Sequence, residues 1–203
     1  MQKLIIVRHG QTANNAAQIL QGQQDIPLSE TGIRQAEALA RALSSEPVDL
    51  IISSPLSRAL KTAEIVNAGR GIPLTTHPDL RERSFGTLQG QAVALYLEAI
   101  AASGQTRLEY QPPGGESIPE LAKRCARAWA DIRTSSARTV LVSAHEGINK
   151  CLILMLLGQA LSEWLSIKQE NCCINEFHFD DHQKIIGYRI NLSDHLPVLA
   201  GLA

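Results

Sequence analysis

The feature that most constrains the fold of this chain is a run of four apolar residues, Leu4 to Val7, that leads directly into Arg8, His9 and Gly10. A run without polar alternation predicts a strand buried on both faces, as in the parallel sheets of α/β proteins. In such sheets, ligands bind beyond the carboxyl ends of the strands. The arginine and histidine therefore stand where an anionic substrate would meet a permanent cation and an imidazole.

Further apolar runs alternate with helical patterns along the chain. We predict strands at residues 3–9, 49–53, 73–76, 139–144, 173–179 and 185–192. Helices are predicted at residues 29–43, 55–67, 91–102, 117–133 and 148–157. The last two strands are joined by a short polar turn, which is typical of an antiparallel hairpin. This order predicts an α/β fold, a three-layer α/β/α sandwich whose mostly parallel sheet ends in a C-terminal antiparallel element.

The 203 residues fit a single domain spanning 1–203, with a short cap-like insertion at about residues 87–116. The formal net charge of −1 gives no global electrostatic signal for binding nucleic acid or an anionic membrane, so a phosphate site must be local. No apolar run approaches the length of a membrane-spanning helix, and the first residues lead into a strand rather than a signal peptide.

Cysteine usage indicates a reduced, cytoplasmic protein. Cys125, Cys151, Cys172 and Cys173 are scattered without the C-x-x-C spacing of a zinc site. Within a strand, the adjacent Cys172 and Cys173 would also point to opposite faces of the sheet. We therefore expect no zinc centre built from these thiols.

Three further positions carry chemistry at the same sheet edge. His9 ends the first predicted strand, Arg58 lies in the first turn of the helix after the second, and His145 comes directly after the strand at 139–144. Ser54 and Pro55 indicate a helix start at Pro55, so the positive end of that helix dipole is expected near Arg58. Together with Arg8, these groups predict a cradle for a phosphate dianion that needs no metal.

The ordered motifs of nearly the whole chain resemble those of the histidine phosphatase superfamily, in its phosphoglycerate-mutase-like branch. The matching segments are Val7-Arg8-His9-Gly10-Gln11-Thr12 with Asn15; Gln21-Gly22 with Asp25, Pro27 and Leu28; Ser53-Ser54-Pro55-Leu56-Ser57-Arg58-Ala59; Leu80-Arg81-Glu82 with Phe85-Gly86 and Gly90; Gly114-Gly115-Glu116-Ser117; and Val142-Ser143-Ala144-His145. The resemblance implies a phosphoglycerate-mutase-like fold and phosphoryl transfer without a cofactor.

The resemblance also implies a role for each matching site residue. His9 would be the nucleophile that becomes a phosphohistidine, and Glu82 would protonate the leaving oxygen and then help a water molecule attack. The remaining residues would bind the phosphoryl group of the substrate: Arg8, Asn15, Gln21, Gly22, Arg58 and His145. No metal ligand is implied.

Three departures from the family pattern concern the substrate rather than the reaction. Glu146 follows the second histidine where the family has a small residue, Gln11 replaces a common glutamate, and Lys150 stands where arginine is frequent. A carboxylate beside an anion site suits a substrate that carries an amine. Glu146 therefore favours phosphoserine among the candidate small phosphorylated metabolites, which also include α-ribazole phosphate and sugar phosphates.

Several alternatives stay open on the sequence alone. A phosphoglycerate mutase would use the same phosphohistidine, but the short segment 89–111 carries only one cation, Arg107, for a second anionic group. A non-catalytic phosphate-binding scaffold would be expected to lack one of the catalytic residues. A metal cluster at His178, Asp180, Asp181 and His182 is explained better by strand alternation and a hairpin turn. An exposed edge strand in this hairpin could pair two copies into a homodimer.

Overall fold

The computed structural model describes residues 1–196 and contains a six-stranded mixed sheet. The strands are β1 (Lys3–Arg8), β2 (Leu50–Ser53), β3 (Leu74–Thr76), β4 (Thr139–Ala144), β5 (Ile174–Phe179) and β6 (Ile185–Leu192). Their order across the sheet is β3-β2-β4-β1-β5-β6. The first four of these strands run parallel, whereas β5 pairs antiparallel with β1 and β6 pairs antiparallel with β5.

Helices cover both faces of this sheet. They are α1 (Ala13–Ala16), α2 (Glu30–Ala42), α3 (Ser57–Asn67), α4 (Val93–Ser103), α5 (Ile118–Ile132) and α6 (Glu146–Leu156). Leu4 and Ile6 point into a core shared with α5 and α6, and Ile5 and Val7 point into a core shared with α2 and α3. This alternation explains why all four residues of the opening run are fully buried. The predicted three-layer α/β fold with a C-terminal antiparallel element is confirmed.

Every predicted helix and strand exists, with bounds that differ by at most two residues. Two differences have a clear physical cause. The helix predicted from Pro55 begins at Ser57, because the Ser54 side chain accepts from the backbone N–H of Leu56 and keeps this segment out of the helix. The antiparallel strand β5, predicted from residue 173, begins at Ile174 because Cys172 has a left-handed backbone conformation, with φ of 56°.

Because Cys172 and Cys173 lie before β5, the alternation of side chains that a strand would impose on them does not apply. Both residues precede β5, and both side chains are fully buried. Burial raises the pKa of Cys173 to about 11. A thiol of this kind is protonated at neutral pH and packs as a small apolar group.

Residues 87–116, predicted as a cap-like insertion, include α4 and form part of a small cluster apart from the two main cores. Tyr96 of α4 is buried in it with Leu20 and Tyr110. The role of this segment as a cap, and the assignment of 1–203 to one domain, stay predictions; residues 197–203 lie outside the described part. No helix in the described part of the chain is long and apolar enough to cross a bilayer.

A glycine pair fixes the segment that follows β1. A Cβ atom on Gly32, in the first turn of α2, would lie 2.0 Å from the carbonyl oxygen of Gln11, and one on Gly10 would lie 2.4 Å from the carbonyl oxygen of Gly32. Both are backbone contacts, which cannot move aside as a flexible side chain could. The close approach of α2 to the Gly10–Gln11 backbone holds the residue before it, His9.

We therefore expect Gly32→Ala to destabilise the protein, although this substitution usually stabilises a helix by about 1 kcal/mol. The clash should lower the free energy of unfolding by roughly 1–3 kcal/mol, as overpacking does elsewhere. Urea unfolding followed by circular dichroism would measure it. Glu37→Ala, at an exposed position of the same helix, is the control and should change the unfolding free energy little. A more stable Gly32→Ala variant would contradict the proposed close contact.

Candidate active site

A cavity of about 310 Å³ opens at the carboxyl ends of the parallel strands. Seven of the eight predicted site residues line it: Arg8, His9, Asn15, Gln21, Gly22, Arg58 and Glu82. These residues are separated by up to 74 positions in sequence, and they meet because β1 and β2 end at the same sheet edge. The eighth, His145, lies behind His9 and does not line the cavity.

His9 is almost fully buried and has a defined tautomer. Its Nδ1 lies 2.7 Å from the carbonyl oxygen of Gly10. Because a carbonyl can only accept, Nδ1 carries the proton and Nε2 keeps a free lone pair. Burial and the cations of Arg58 and Arg8 hold the pKa of His9 well below its ordinary value near 6.5. The imidazole is therefore neutral at pH 7, which is the state a nucleophile requires.

His145 packs directly against this imidazole. The two ring centroids are 5.1 Å apart at an angle of 61°, and His145 is fully buried. Its Nε2 lies 2.8 Å from Oγ of Ser54, the residue directly after β2. Burial and the neighbouring Arg58 cation lower the pKa of His145 well below its ordinary value, so this ring is also neutral. Ser54 was singled out as a helix-start signal, and its contact with His145 was missed.

The two arginines keep donors in reserve at the cavity. Arg58 is 1% exposed and donates from Nη1 to the carbonyl of Gln24 and from Nη2 to that of Gly22, at 2.8 and 2.7 Å. Arg8 donates from Nη1 to the carbonyl of Gln169. A guanidinium has five N–H groups, so most of them remain for another acceptor. Burial lowers the pKa of Arg58 to about 10, and the group is still a cation at neutral pH.

Three buried nitrogens at this place have no partner among the described residues: Nε of Arg8, Nε of Arg58 and Nδ1 of His145. Buried polar atoms in folded proteins are almost always paired, so a concentration of unpaired ones calls for an explanation. All three belong to side chains that meet beside His9. An anion with several acceptor oxygens is the kind of ligand that such a set of donors fits.

The positive N-terminal end of α3, which we predicted would help to bind a phosphate, is already bound by a carboxylate of this chain. This finding corrects our expectation for α3. The backbone N–H of Ser57, its first residue, donates to Oδ1 of Asp25 at 2.7 Å. The carboxylate of Asp25 therefore caps the positive end of α3. Positive charge at the site comes from the guanidinium groups of Arg8 and Arg58, with the helix end satisfied within the chain.

A capped single turn positions the remaining phosphate-binding candidates. Thr12 is the N-cap of α1, and its backbone N–H donates to Oδ1 of Asn15, whereas its hydroxyl, with a single hydrogen to donate, lies 3.1 Å from the same oxygen. The Thr12 hydroxyl also lies 2.9 Å from Oε1 of Gln21. With their oxygens turned to Thr12, Asn15 and Gln21 keep their amide N–H groups for the cavity. The short helix α1 was not predicted, although the Thr12-x-x-Asn15 spacing resembles a capping box.

Glu82 reaches the cavity from the opposite wall. Both of its carboxylate oxygens lie 3.1 Å from the backbone nitrogen of Gly147, which donates to them at the start of α6. The backbone N–H of Arg83 donates to the same carboxylate at 2.8 Å. A Cβ atom on Gly147 would lie 2.4 Å from Oε1 of Glu82, so only glycine leaves room for the carboxylate there.

The outer part of the cavity contains charged and aromatic groups beyond the eight predicted residues. Glu146 lines it and pairs with Lys150 at 2.8 Å and with Arg8 at 3.4 Å. Burial opposes ionisation of Glu146, but the Arg8 and Lys150 cations outweigh it and lower its pKa. Arg107 and Trp164 line the same region. Arg107 was noted as the single cation of its segment, whereas no sequence motif pointed to Trp164.

Comparisons with known proteins agree with this geometry. The family model of the histidine phosphatase superfamily (branch 1) matches residues 4–190. A Hydrogenobacter thermophilus protein with the provisional name phosphoserine phosphatase 2 is 32% identical, and the match covers 93% of this chain and 95% of that protein. A Yersinia pestis protein with the provisional name phosphoglycerate mutase is 30% identical, and the match covers 89% of this chain and 86% of that protein.

A solved structure shows the same architecture. The phosphoserine phosphatase of Entamoeba histolytica, determined as a mutant in complex with phosphoserine, superposes with a TM-score of 0.80 at 28% identity. The superposition covers 97% of this chain and 100% of the other. The chain therefore belongs to the histidine phosphatase superfamily (branch 1), as its sequence motifs predicted.

Proposed function

We propose that this chain hydrolyses small phosphate monoesters through a covalent phosphohistidine on His9. The observation that carries the proposal is the buried, neutral imidazole of His9, whose Nδ1 is bound to Gly10 and whose neighbours are the Arg8 and Arg58 cations. Family membership confirms the prediction of a phosphatase. The individual roles of the site residues remain part of the proposal.

In the first step, the lone pair of His9 Nε2 attacks phosphorus in line with the ester oxygen. The N–P bond forms as the P–O bond to the alcohol breaks, and protonated Glu82 gives its proton to the departing oxygen. The transferred group keeps its negative charge on three equatorial oxygens. Donors from Arg8 and Arg58, which line the cavity, bind those oxygens, and the unpaired Nδ1 of His145 supports them from behind His9. The guanidinium groups need no reorganisation, because backbone carbonyls already fix them in place.

In the second step, water replaces the alcohol. The Glu82 carboxylate accepts a proton from the water as its oxygen attacks phosphorus, and the N–P bond breaks to return neutral His9. Glu82 is then protonated again and ready for the next substrate. Inorganic phosphate leaves with the charge that the ester brought in, so the cycle balances without a cofactor.

A phosphoglycerate mutase would use the same first step, and one relative carries that provisional name. A mutase must keep its phosphohistidine away from water and hold a second anionic group at the mouth of the site. Here α4 exposes much of its surface, and Arg107 is the cation that residues 89–111 contribute to the cavity. Hydrolysis is therefore favoured over transfer to a second substrate group.

Replacement of the nucleophile gives the direct test. His9→Asn should lower kcat/KM for phosphate monoesters by roughly 10⁴-fold or more, the scale of losses on removing a nucleophile. When the reaction of the wild-type protein is quenched without acid, labelled phosphate should remain bound to the protein. Acid should release this phosphate, whereas base should not. His182→Asn, in the exposed hairpin turn, is the control and should behave as wild type. Full activity of His9→Asn would refute the proposal.

The pH dependence of kcat/KM follows from the lowered pKa of His9. The neutral ring is present above its pKa, so activity should persist below pH 6.5 and fall only as pH drops through the lowered value. Arg58→Met removes a cation that lowers the pKa of His9. The acid limb of the profile, where kcat/KM falls with decreasing pH, should therefore move to higher pH in this variant, independently of the drop in its maximal kcat/KM. Arg34→Met, on the exposed face of α2, should leave the limb in place. The ionisation of the substrate's own phosphate is measured separately, and the pH profile of kcat/KM is corrected for it.

The substrate class proposed is a phosphorylated metabolite with an amine, with phosphoserine as the first candidate. Glu146 stays ionised in the outer cavity, with its side chain 42% exposed, and can face an ammonium group. Arg107 lies in the same region and can face a carboxylate. An α-amino acid offers both charges. Two relatives named for phosphoserine hydrolysis are consistent with this choice.

Four substrates separate these two contacts: phosphoserine, phosphoethanolamine, 3-phosphoglycerate and 2-hydroxyethyl phosphate. Glu146→Gln should raise KM about 10-fold or more for the two amines, the scale of a lost charged hydrogen bond. KM for the carboxylate and neutral substrates should stay or fall, since Arg8 and Lys150 lose their partner. Glu98→Gln makes the same charge change on the exposed face of α4 as a control. An equal KM change for all four substrates would exclude an amine contact.

The predicted homodimer and cytoplasmic location stay predictions. β6 forms one edge of the sheet, and its Ile186 and Tyr188 side chains are 68% and 51% exposed. An edge strand of this length with exposed apolar side chains suits pairing with a second copy. Sedimentation or light scattering would determine the oligomeric state.

A further inference from the structure

Arg124, in the second turn of α5, binds two parts of the chain at once. It is 7% exposed, and its guanidinium forms a fork with the Glu116 carboxylate, in which Nε and Nη2 each donate at 2.8 Å. The Glu116 carboxylate in turn accepts from the backbone N–H of Ser84 at 2.8 Å. This pair thus connects α5 to the backbone two residues after Glu82.

The remaining donors of Arg124 hold the backbone that leads to Glu82. Nη1 donates to the carbonyl oxygens of Asp79 and Arg81 at 2.8 and 2.6 Å, and Nη2 donates to that of Glu82 at 3.0 Å. With the fork to Glu116, these contacts use all five N–H groups of the guanidinium. No other common side chain offers five donors in a rigid plane, so lysine cannot replace this set of contacts.

This arrangement fixes the backbone of Glu82 while its carboxylate is held elsewhere. The carboxylate binds the backbone N–H of Gly147, on α6, whereas the carbonyl of the same residue binds Arg124, on α5. A proton donor must meet the leaving oxygen at hydrogen-bond distance and in a narrow range of angles. Contacts from two helices therefore fix Glu82: α5 binds its backbone carbonyl, and α6 binds its side-chain carboxylate.

Stability alone does not account for Arg124. A buried ion pair often contributes no more than well-packed apolar side chains of similar volume would, because both charges must leave water. Three of the five contacts bind backbone carbonyls of the segment 79–84, and the other two bind Glu116, whose carboxylate is itself bound to Ser84 of that segment. We propose that Arg124 is a positioning residue that sets the orientation of Glu82 for proton transfer; this inference rests on the proposed function.

The leaving group provides the test, because a poor leaving group needs a proton and a good one does not. We would compare kcat/KM for phosphoserine, an alkyl ester, with that for 4-nitrophenyl phosphate, an aryl ester. This ratio of constants reports the steps up to release of the alcohol, so slow hydrolysis of the phosphohistidine does not enter it. Glu82→Gln should lose about 10²–10⁴-fold on phosphoserine and far less on the aryl ester.

Arg124→Lys should also impair hydrolysis of the alkyl ester selectively, but less than Glu82→Gln does. We expect kcat/KM to fall roughly 10-fold or more for phosphoserine and to change little for the aryl ester. In the double variant with Glu82→Gln, the Arg124→Lys change should cause no further selective loss. Arg127→Lys is the matched control: it lies one turn along α5, is 62% exposed and pairs with the Asp79 side chain, and it should not alter the ratio. Thermal unfolding of each variant checks that it is folded.

If Arg124→Lys does not fold, Glu116→Gln is the second variant, since it breaks the fork from the other side and should give the same selective loss. Equal losses on both esters, or additive losses in the double variant, would overturn the inference. The proposed function fails separately, through activity in His9→Asn. A uniform loss in Glu82→Gln would remove the acid role of Glu82 and with it the role of Arg124.

Discussion

The parallel pairing of β1 with β4 is the constraint on which the site depends. Arg8 pairs with Ala144 at the end of the ladder, and the backbone N–H of His9 donates to the carbonyl of Ala144 at 3.0 Å. The next residues on the two strands are therefore His9 and His145, side by side, with ring centroids 5.1 Å apart. A slip of one residue in this register would separate the histidines and exchange the side chains of the apolar run between the two cores.

Burial of cations beside these histidines determines their chemistry. Arg8 and Arg58 sit where a free charge is costly. Arg58 is bound by two backbone carbonyls, and Arg8 is bound by the carbonyl of Gln169, with the partly exposed Glu146 carboxylate at the longer distance of 3.4 Å. A carbonyl stabilises a guanidinium without cancelling its charge. Burial of the two imidazoles lowers their pKa values, the positive potential of the arginines lowers them further, and the same potential attracts a phosphate. The same feature would be lost if each arginine had a buried acidic partner.

Much of this site is predictable from the sequence, because several of its residues lie at or just after the carboxyl ends of strands that the sequence itself indicates. Leu4 to Val7 predict a central strand, and the motifs at His9, Arg58, Glu82 and His145 place chemistry at its edge. The start of α3 was predicted wrongly because Ser54 and Pro55 carry a true capping signal that tertiary contacts override: Ser54 binds His145, and Asp25 caps the helix two residues later. A local propensity of this kind is decided by partners that are distant in sequence.

The contacts of Arg124 were beyond sequence reasoning for a different reason. Helical periodicity places an arginine at that position of α5, but an arginine in an amphipathic helix is usually a solvated residue. Its role depends on three carbonyl groups, and backbone carbonyls carry no sequence signal. Side chains that organise backbone are therefore harder to predict than side chains that contact substrate.

The two ends of the cavity differ in construction, and this difference bears on how specificity arises. The phosphate end is formed by buried groups on β1, β4 and α3, each fixed by backbone hydrogen bonds. The outer end is formed by Arg107 from the predicted insertion, Trp164 from a short 3-10 turn and Glu146 on the surface of α6. Changes at the outer end leave the β1–β4 ladder untouched. Specificity for the alcohol part of the ester can therefore change while the chemistry at phosphorus stays the same.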